Sequence, residues 1–198
     1  DEYLAEGGKL LILVDSLEVD DRALTAKKAS TGISEWLEGY GVLVRDNVVF
    51  DTRSHETLLF NTRFGGVNLA YPYWPRVVTT ERRVSGGVAS AVFPWSSSID
   101  IAEATGVSID TDIVPIVVTT QFGAVDESFR DMTPRSQTLE NYDEGDLAER
   151  VVAVAVTGTR CSYYKPNCDK NLEKSIKSRK RSKKLKNLEK SVKNSEKH

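Results

Sequence analysis

Two cysteines, two histidines and one methionine are all that 198 residues hold of the side chains that carry most redox and metal chemistry. Cys161 and Cys168 miss the four ligands of a structural zinc site, and a bridge across so short a loop would constrain little of the fold. Free thiols are expected. His55 and the terminal His198 are the only imidazoles, so a thiol or hydroxyl nucleophile has scarcely a base to pair with. Long apolar runs are also missing. The longest, Leu10–Val14 and Val151–Val156, fall far below the roughly 18 residues of a membrane helix. Net charge is only −2, but that value is a cancellation. Residues 1–160 carry 14 basic and 25 acidic side chains, whereas residues 161–198 carry 13 basic and 4 acidic. An acidic body of 160 residues, net −11, is followed by a tail of net +9.

What is present reads first as an α/β body. Tyr3–Gly8 looks like the end of a helix with a Gly7-Gly8 stop. Lys9–Asp15 then reads as a strand buried on both faces, as in a parallel sheet covered by helices. A domain rarely opens on the tail of a helix, so further residues are expected upstream of Asp1. No basic and apolar leader is visible. Asp15–Asp21 reads as an acidic loop. Ala26, Ala29, Ile33, Trp36, Leu37 and Tyr40 share one helical face, which predicts a helix over 25–40 ended by Gly39 and Gly41. Val42–Val44 and Val48–Phe50 read as short strands. Strand, helix, strand is the βαβ pattern.

Further along, Leu58–Phe60 suggests a strand, and Val88–Trp95 is an apolar stretch. Tyr71-Pro72-Tyr73-Trp74-Pro75 sets three aromatics between two prolines, which disfavours both helix and central strand. Ile113–Thr120 and Arg150–Thr157 are β-branched and read as strands, with a polar loop over 121–146 between them. Lys170–Ser178 and Lys186–Asn194 repeat one another sixteen residues apart. In one continuous helix that offset leaves the two apolar pairs about 160° apart, so no single stripe forms. The tail reads as a weakly helical or disordered basic extension.

Chemical motifs are scarce. No G-x-S-x-G elbow occurs, and none of the Gly pairs at 7–8, 65–66 and 86–87 completes a phosphate-binding fingerprint. Asp15, Glu18, Asp20 and Asp21 follow the first apolar run, where α/β sheets bind ligands. A solvated acidic loop explains them better than a cation site, and no metal is assigned. Tyr71, Tyr73, Trp74 and Trp95, with Asp15, are the candidate ligand or partner contacts. Aromatics bury large areas, so a core plug is the favoured reading of that cluster and Trp74→Ala should impair folding more than partner binding. Arg179, Lys180, Arg181, Lys183 and Lys184 are candidate polyanion contacts, non-specific and salt-sensitive. Without interleaved aromatics, base stacking on a nucleic acid is poorly supported.

The ordered set of Tyr3–Asp15, Trp36–Val42, Asp46–Asp51, Tyr71–Pro75, Phe93–Trp95 and Val152–Gly158 resembles the GldG-like auxiliary components of ABC transport systems, over about residues 3–160. That family takes its name from a gliding-motility protein. The resemblance implies an α/β domain with a mostly parallel sheet flanked by helices, layered as in glutamine-amidotransferase-like (flavodoxin-like) domains and incomplete at its N-terminus. It also implies an extracytoplasmic, non-enzymatic role without cofactor, beside an ABC permease and ATPase. Membrane tethering in that family comes from helices outside this domain. A hydrolase or amidotransferase-like enzyme on the same fold, and a polyanion or anionic-membrane binder acting through the tail, are the alternatives.

Overall fold

The computed structural model describes residues 2–5, 7–29, 32–80, 86–102, 108–128, 131–134 and 144–160. The basic tail, with both cysteines, the repeat and the five candidate polyanion contacts, lies outside the described residues.

Helix α1 (Glu2–Ala5) ends as its sequence suggests. The amides of Gly7 and Gly8 donate to the carbonyls of Leu4 and Tyr3, and Gly7 takes a φ of 90°. The parallel α/β layering does not follow. Every strand pairing among the described residues is antiparallel, and the sheet curls into a half-barrel. Lys9–Asp15 forms no strand, and Leu11 and Leu13 are 82 % and 90 % exposed.

The supposed acidic loop instead supplies β1 (Leu17–Asp20), which forms a hairpin with β2 (Thr25–Lys28). Asp20 Oδ1 accepts the amides of Arg22 and Ala23 and so closes the turn. The helix predicted over 25–40 shrinks to α2 (Ile33–Glu38). Gly32, at φ 66°, stops it from reaching back. The apolar spacing of Ala26 and Ala29 fitted a helical face by coincidence, because a short hairpin strand satisfies the same few positions.

Strands β3 (Val42–Val44) and β4 (Val48–Asp51) match their sequence signals. β3 pairs with β8 (Ile99–Ile101), and β4 with β10 (Gly123–Asp126), which lies in the segment read as loop. The main sheet has the order β11 (Val151–Arg160), β9 (Ser108–Val118), β6 (Gly65–Thr79), β5 (His55–Thr62), with β7 (Ser90–Val92) also on β6. β6 runs straight through the two prolines. It can do so because His55 pairs with Pro75 while Glu56 pairs with Tyr71. Pro72, Tyr73 and Trp74 bulge out of the ladder between those rungs, where Pro72 needs no donor.

The core is organised about β4, whose four residues are all buried. Val48 and Phe50 pack with Leu17, Tyr71, Tyr73, Ala124 and Met132. Val49 faces the other way, onto Val77, Val117 and Val152 of the main sheet. A strand with period-two side chains thus feeds two apolar clusters at once. Polar links at the rim are buried and paired: Ser16 Oγ donates to the Arg45 carbonyl and lies 2.6 Å from Ser97 Oγ, and Asn47 bonds Ser98.

Candidate functional site: the aromatic corner at the β6 bulge

The β6 bulge and the segment after β7 meet at one corner. Phe93 N donates to the Pro75 carbonyl at 3.1 Å and Trp95 N to the Tyr73 carbonyl at 2.9 Å. These bonds lay Trp95 alongside Tyr73 and Trp74. The Trp74 and Trp95 rings meet edge to face, with centroids 5.3 Å apart and planes at 85°. Trp95 Nε1 donates to Tyr71 Oη at 3.1 Å. Tyr73 Oη donates to Asp126 Oδ2 at 2.9 Å, and Asp126 Oδ1 accepts the amide and hydroxyl of Ser128.

The sequence-predicted aromatics therefore do come together, but at two depths. Tyr71 and Tyr73 are buried and bonded within the protein. Burial pushes the Tyr71 phenol above its ordinary value, opposed in part by the bond from Trp95. Trp74 and Trp95 are half-buried at the rim. Two features there are costly. Trp95 holds a φ of 50°, a left-handed conformation unusual for a bulky side chain. Trp74 Nε1 and Ser96 Oγ are buried atoms with no hydrogen-bond partner among the described residues. A buried donor without an acceptor carries the cost of its lost hydration.

Asp15 is exposed on the segment before β1. Among the described residues no hydrogen bond or ion pair joins it to the aromatics. Its acidic neighbours are occupied separately: Glu18 pairs with Lys27 at 3.0 Å, and Asp20 closes the hairpin turn, whose two amides hold its carboxyl below the usual carboxylate range. Among the described residues no group of three His, Cys, Asp or Glu is placed to hold a metal ion.

Sequence reasoning missed Asp51. Its side chain is fully buried, with Oδ1 accepting the amides of Arg53 and Ser54 and Oδ2 accepting the amide and hydroxyl of Thr120. His55 Nδ1 lies 2.8 Å from the Asp51 carbonyl and so donates to it. The visible signal was an aspartate closing the apolar run Val48–Phe50 two and three residues ahead of turn residues. Its four bonds fill the carboxylate, which makes it a structural clamp between two loops rather than a ligand site.

The model of a protein family described as an ABC-type uncharacterized transport system matches residues 1–188. The chain belongs to that family. Comparison with curated proteins and with solved structures gives no match. Membership makes the chain an auxiliary component of an ABC-type transport system. The match runs past the acidic body and through the first copy of the tail repeat. Among the described residues no helix is long and apolar enough to cross a membrane.

Proposed function

We propose that the chain is a non-catalytic, extracytoplasmic binding domain of its transport system, of the GldG-like gliding-motility type, which contacts the permease and ATPase assembly through the Trp74–Trp95 corner. The family match carries the transport role. The contact surface rests on one observation, the pair of partly exposed indole rings of Trp74 and Trp95 held edge to face at one rim, with Trp95 on strained backbone. The non-catalytic reading draws support from the sequence, which offers only two imidazoles as possible bases, His55 and His198, of which the described residues include His55. The basic tail, through Arg179–Lys184, would add attraction to an anionic surface.

The discriminating variant is Trp74→Phe, which keeps an aromatic ring and deletes the orphan donor. Removing a donor that nothing satisfies should leave the melting temperature of the isolated chain unchanged or slightly raised. Co-purification with the permease and ATPase should fall several-fold. Trp74→Ala is a poorer probe, because the cavity it opens lowers stability and confounds capture. Wild-type capture by Trp74→Phe would remove the corner from the interface. A folded wild-type chain that never co-purifies with either subunit would overturn the partner reading itself.

A further inference from the structure

The most exposed aromatic side chain of the described fold is not at that corner. Phe64 stands at the tip of the β5–β6 hairpin, 90 % exposed, with Leu59, 64 % exposed, on the same hairpin end. All of residues 61–68 are exposed, so the last rungs of the hairpin project from the sheet. The tip is nevertheless braced. Thr62 Oγ1 donates to the Gly65 carbonyl at 2.8 Å and accepts the Phe64 amide at 3.2 Å. Gly65 takes a φ of 117°, which a side chain would strain. Leu59 lies across Gly66, where an added Cβ would come within 2.8 Å of its Cδ1. The apolar groups are thus presented by a built turn rather than by a loose loop.

Charge sets this end apart as well. Residues 57–70 contain no Asp or Glu, and their one charge is Arg63, in a body of net −11. The Arg63 guanidinium carbon sits 5.4 Å from the Phe64 ring centroid. We infer that this hairpin tip inserts into the surface of a phospholipid bilayer, with Phe64, Leu59 and Val67 at the acyl boundary and Arg63 at the phosphates. A two-stranded tip is too narrow for the roughly 800 Å² per partner of a specific protein interface. A bilayer asks for no shape match, only apolar groups flanked by a cation and free of acids. The rest of the acidic body is repelled by phosphate, so the acid-free end is the part that can approach. One apolar point gives weak, reversible attachment, enough to orient a domain held near a membrane by other means.

The test uses the full chain and vesicles of phosphatidylcholine, with and without phosphatidylglycerol. In Phe64→Trp, addition of vesicles should shift the new emission to the blue, and acyl-brominated phosphatidylcholine should quench it beyond the background of the three native tryptophans. Phe64→Ser should leave the melting temperature unchanged and weaken co-sedimentation about tenfold. That loss should persist at high salt, where attraction through the basic tail is screened. Failure of the brominated lipid to quench the emission added by Phe64→Trp would overturn the inference, as would equal co-sedimentation of Phe64→Ser and wild type at high salt. No transport component is present in this assay, so its failure leaves the Trp74–Trp95 reading standing.

Discussion

Two segments of this chain have the same written pattern, an apolar run closed by an aspartate, and opposite fates. Leu10–Asp15 is longer and more apolar, yet it forms no strand and exposes Leu11 and Leu13 almost fully. Val48–Asp51 is shorter, and all four of its residues are buried. Part of the difference is local. Val48, Val49 and Phe50 all favour a pleated backbone, whereas the longer run mixes β-branched Ile12 and Val14 with Leu10, Leu11 and Leu13, whose strand preference is weaker. The larger part is the neighbour. β4 meets β10 in register, Val48 opposite Asp126 through Asp51 opposite Gly123, and both of its faces find apolar clusters. Hydrophobicity states that a segment gains by being covered; it does not supply the cover.

The two aspartates offer the strongest way to break the comparison. Asp51→Ala removes the buried acceptor of four hydrogen bonds and leaves part-buried donors at Arg53, Ser54 and Thr120 without it. It should cost about 3 kcal/mol of unfolding free energy. Asp15→Ala, at an exposed position, should stay within about 0.5 kcal/mol of wild type. Urea denaturation of the full chain measures both. Equal costs would mean that Asp51 is not the clamp its geometry describes.

The same contrast explains what could be read from the sequence. Strands β3, β4 and β11 were legible because their valine-rich runs agree with what their neighbours provide. The Gly7-Gly8 stop was legible because it is a local backbone event. The parallel α/β layout failed because it was built on Lys9–Asp15 as the first central strand and on a helix over 25–40. Both inferences needed a partner that the sequence does not specify. The aromatic corner was legible as a cluster but not as two layers. Tyr73 and Trp74 are adjacent in sequence, and only the bulge opposite His55 and Glu56 decides which of them is sealed. Asp51 was legible only as a local turn former, because the other half of its clamp, at Thr120, lies 69 residues away.

A smaller effect probes the buried side through pH. Burial holds the Tyr71 phenol above its ordinary value, so the folded chain keeps that proton to a higher pH than the unfolded chain. Above about pH 10 the unfolded state therefore binds fewer protons. Stability from this group is fully present below that pH and is lost as pH rises through the folded value. Tyr71→Phe should flatten the alkaline decline in melting temperature, after an offset at neutral pH from the lost bond to Trp95. An unchanged slope would show that the phenol titrates alike in both states and that this side of the core is open to water.

The smallest expected effect is the most informative about the exposed run. Leu11→Asp and Leu13→Asp each replace a large apolar group by a charge, a change that at Val49 would bury an unpaired carboxylate and unfold the domain. At positions 11 and 13 the folded chain exposes the leucine nearly as fully as the unfolded chain does. A group that sees the same solvent in both states cannot shift the balance between them, whatever its hydrophobicity. The double variant should therefore unfold within about 0.5 kcal/mol of wild type, with an unchanged denaturant slope. A loss comparable to that of Asp51→Ala would show that the leucines are covered, and the contrast between the two runs would collapse into a single rule of burial.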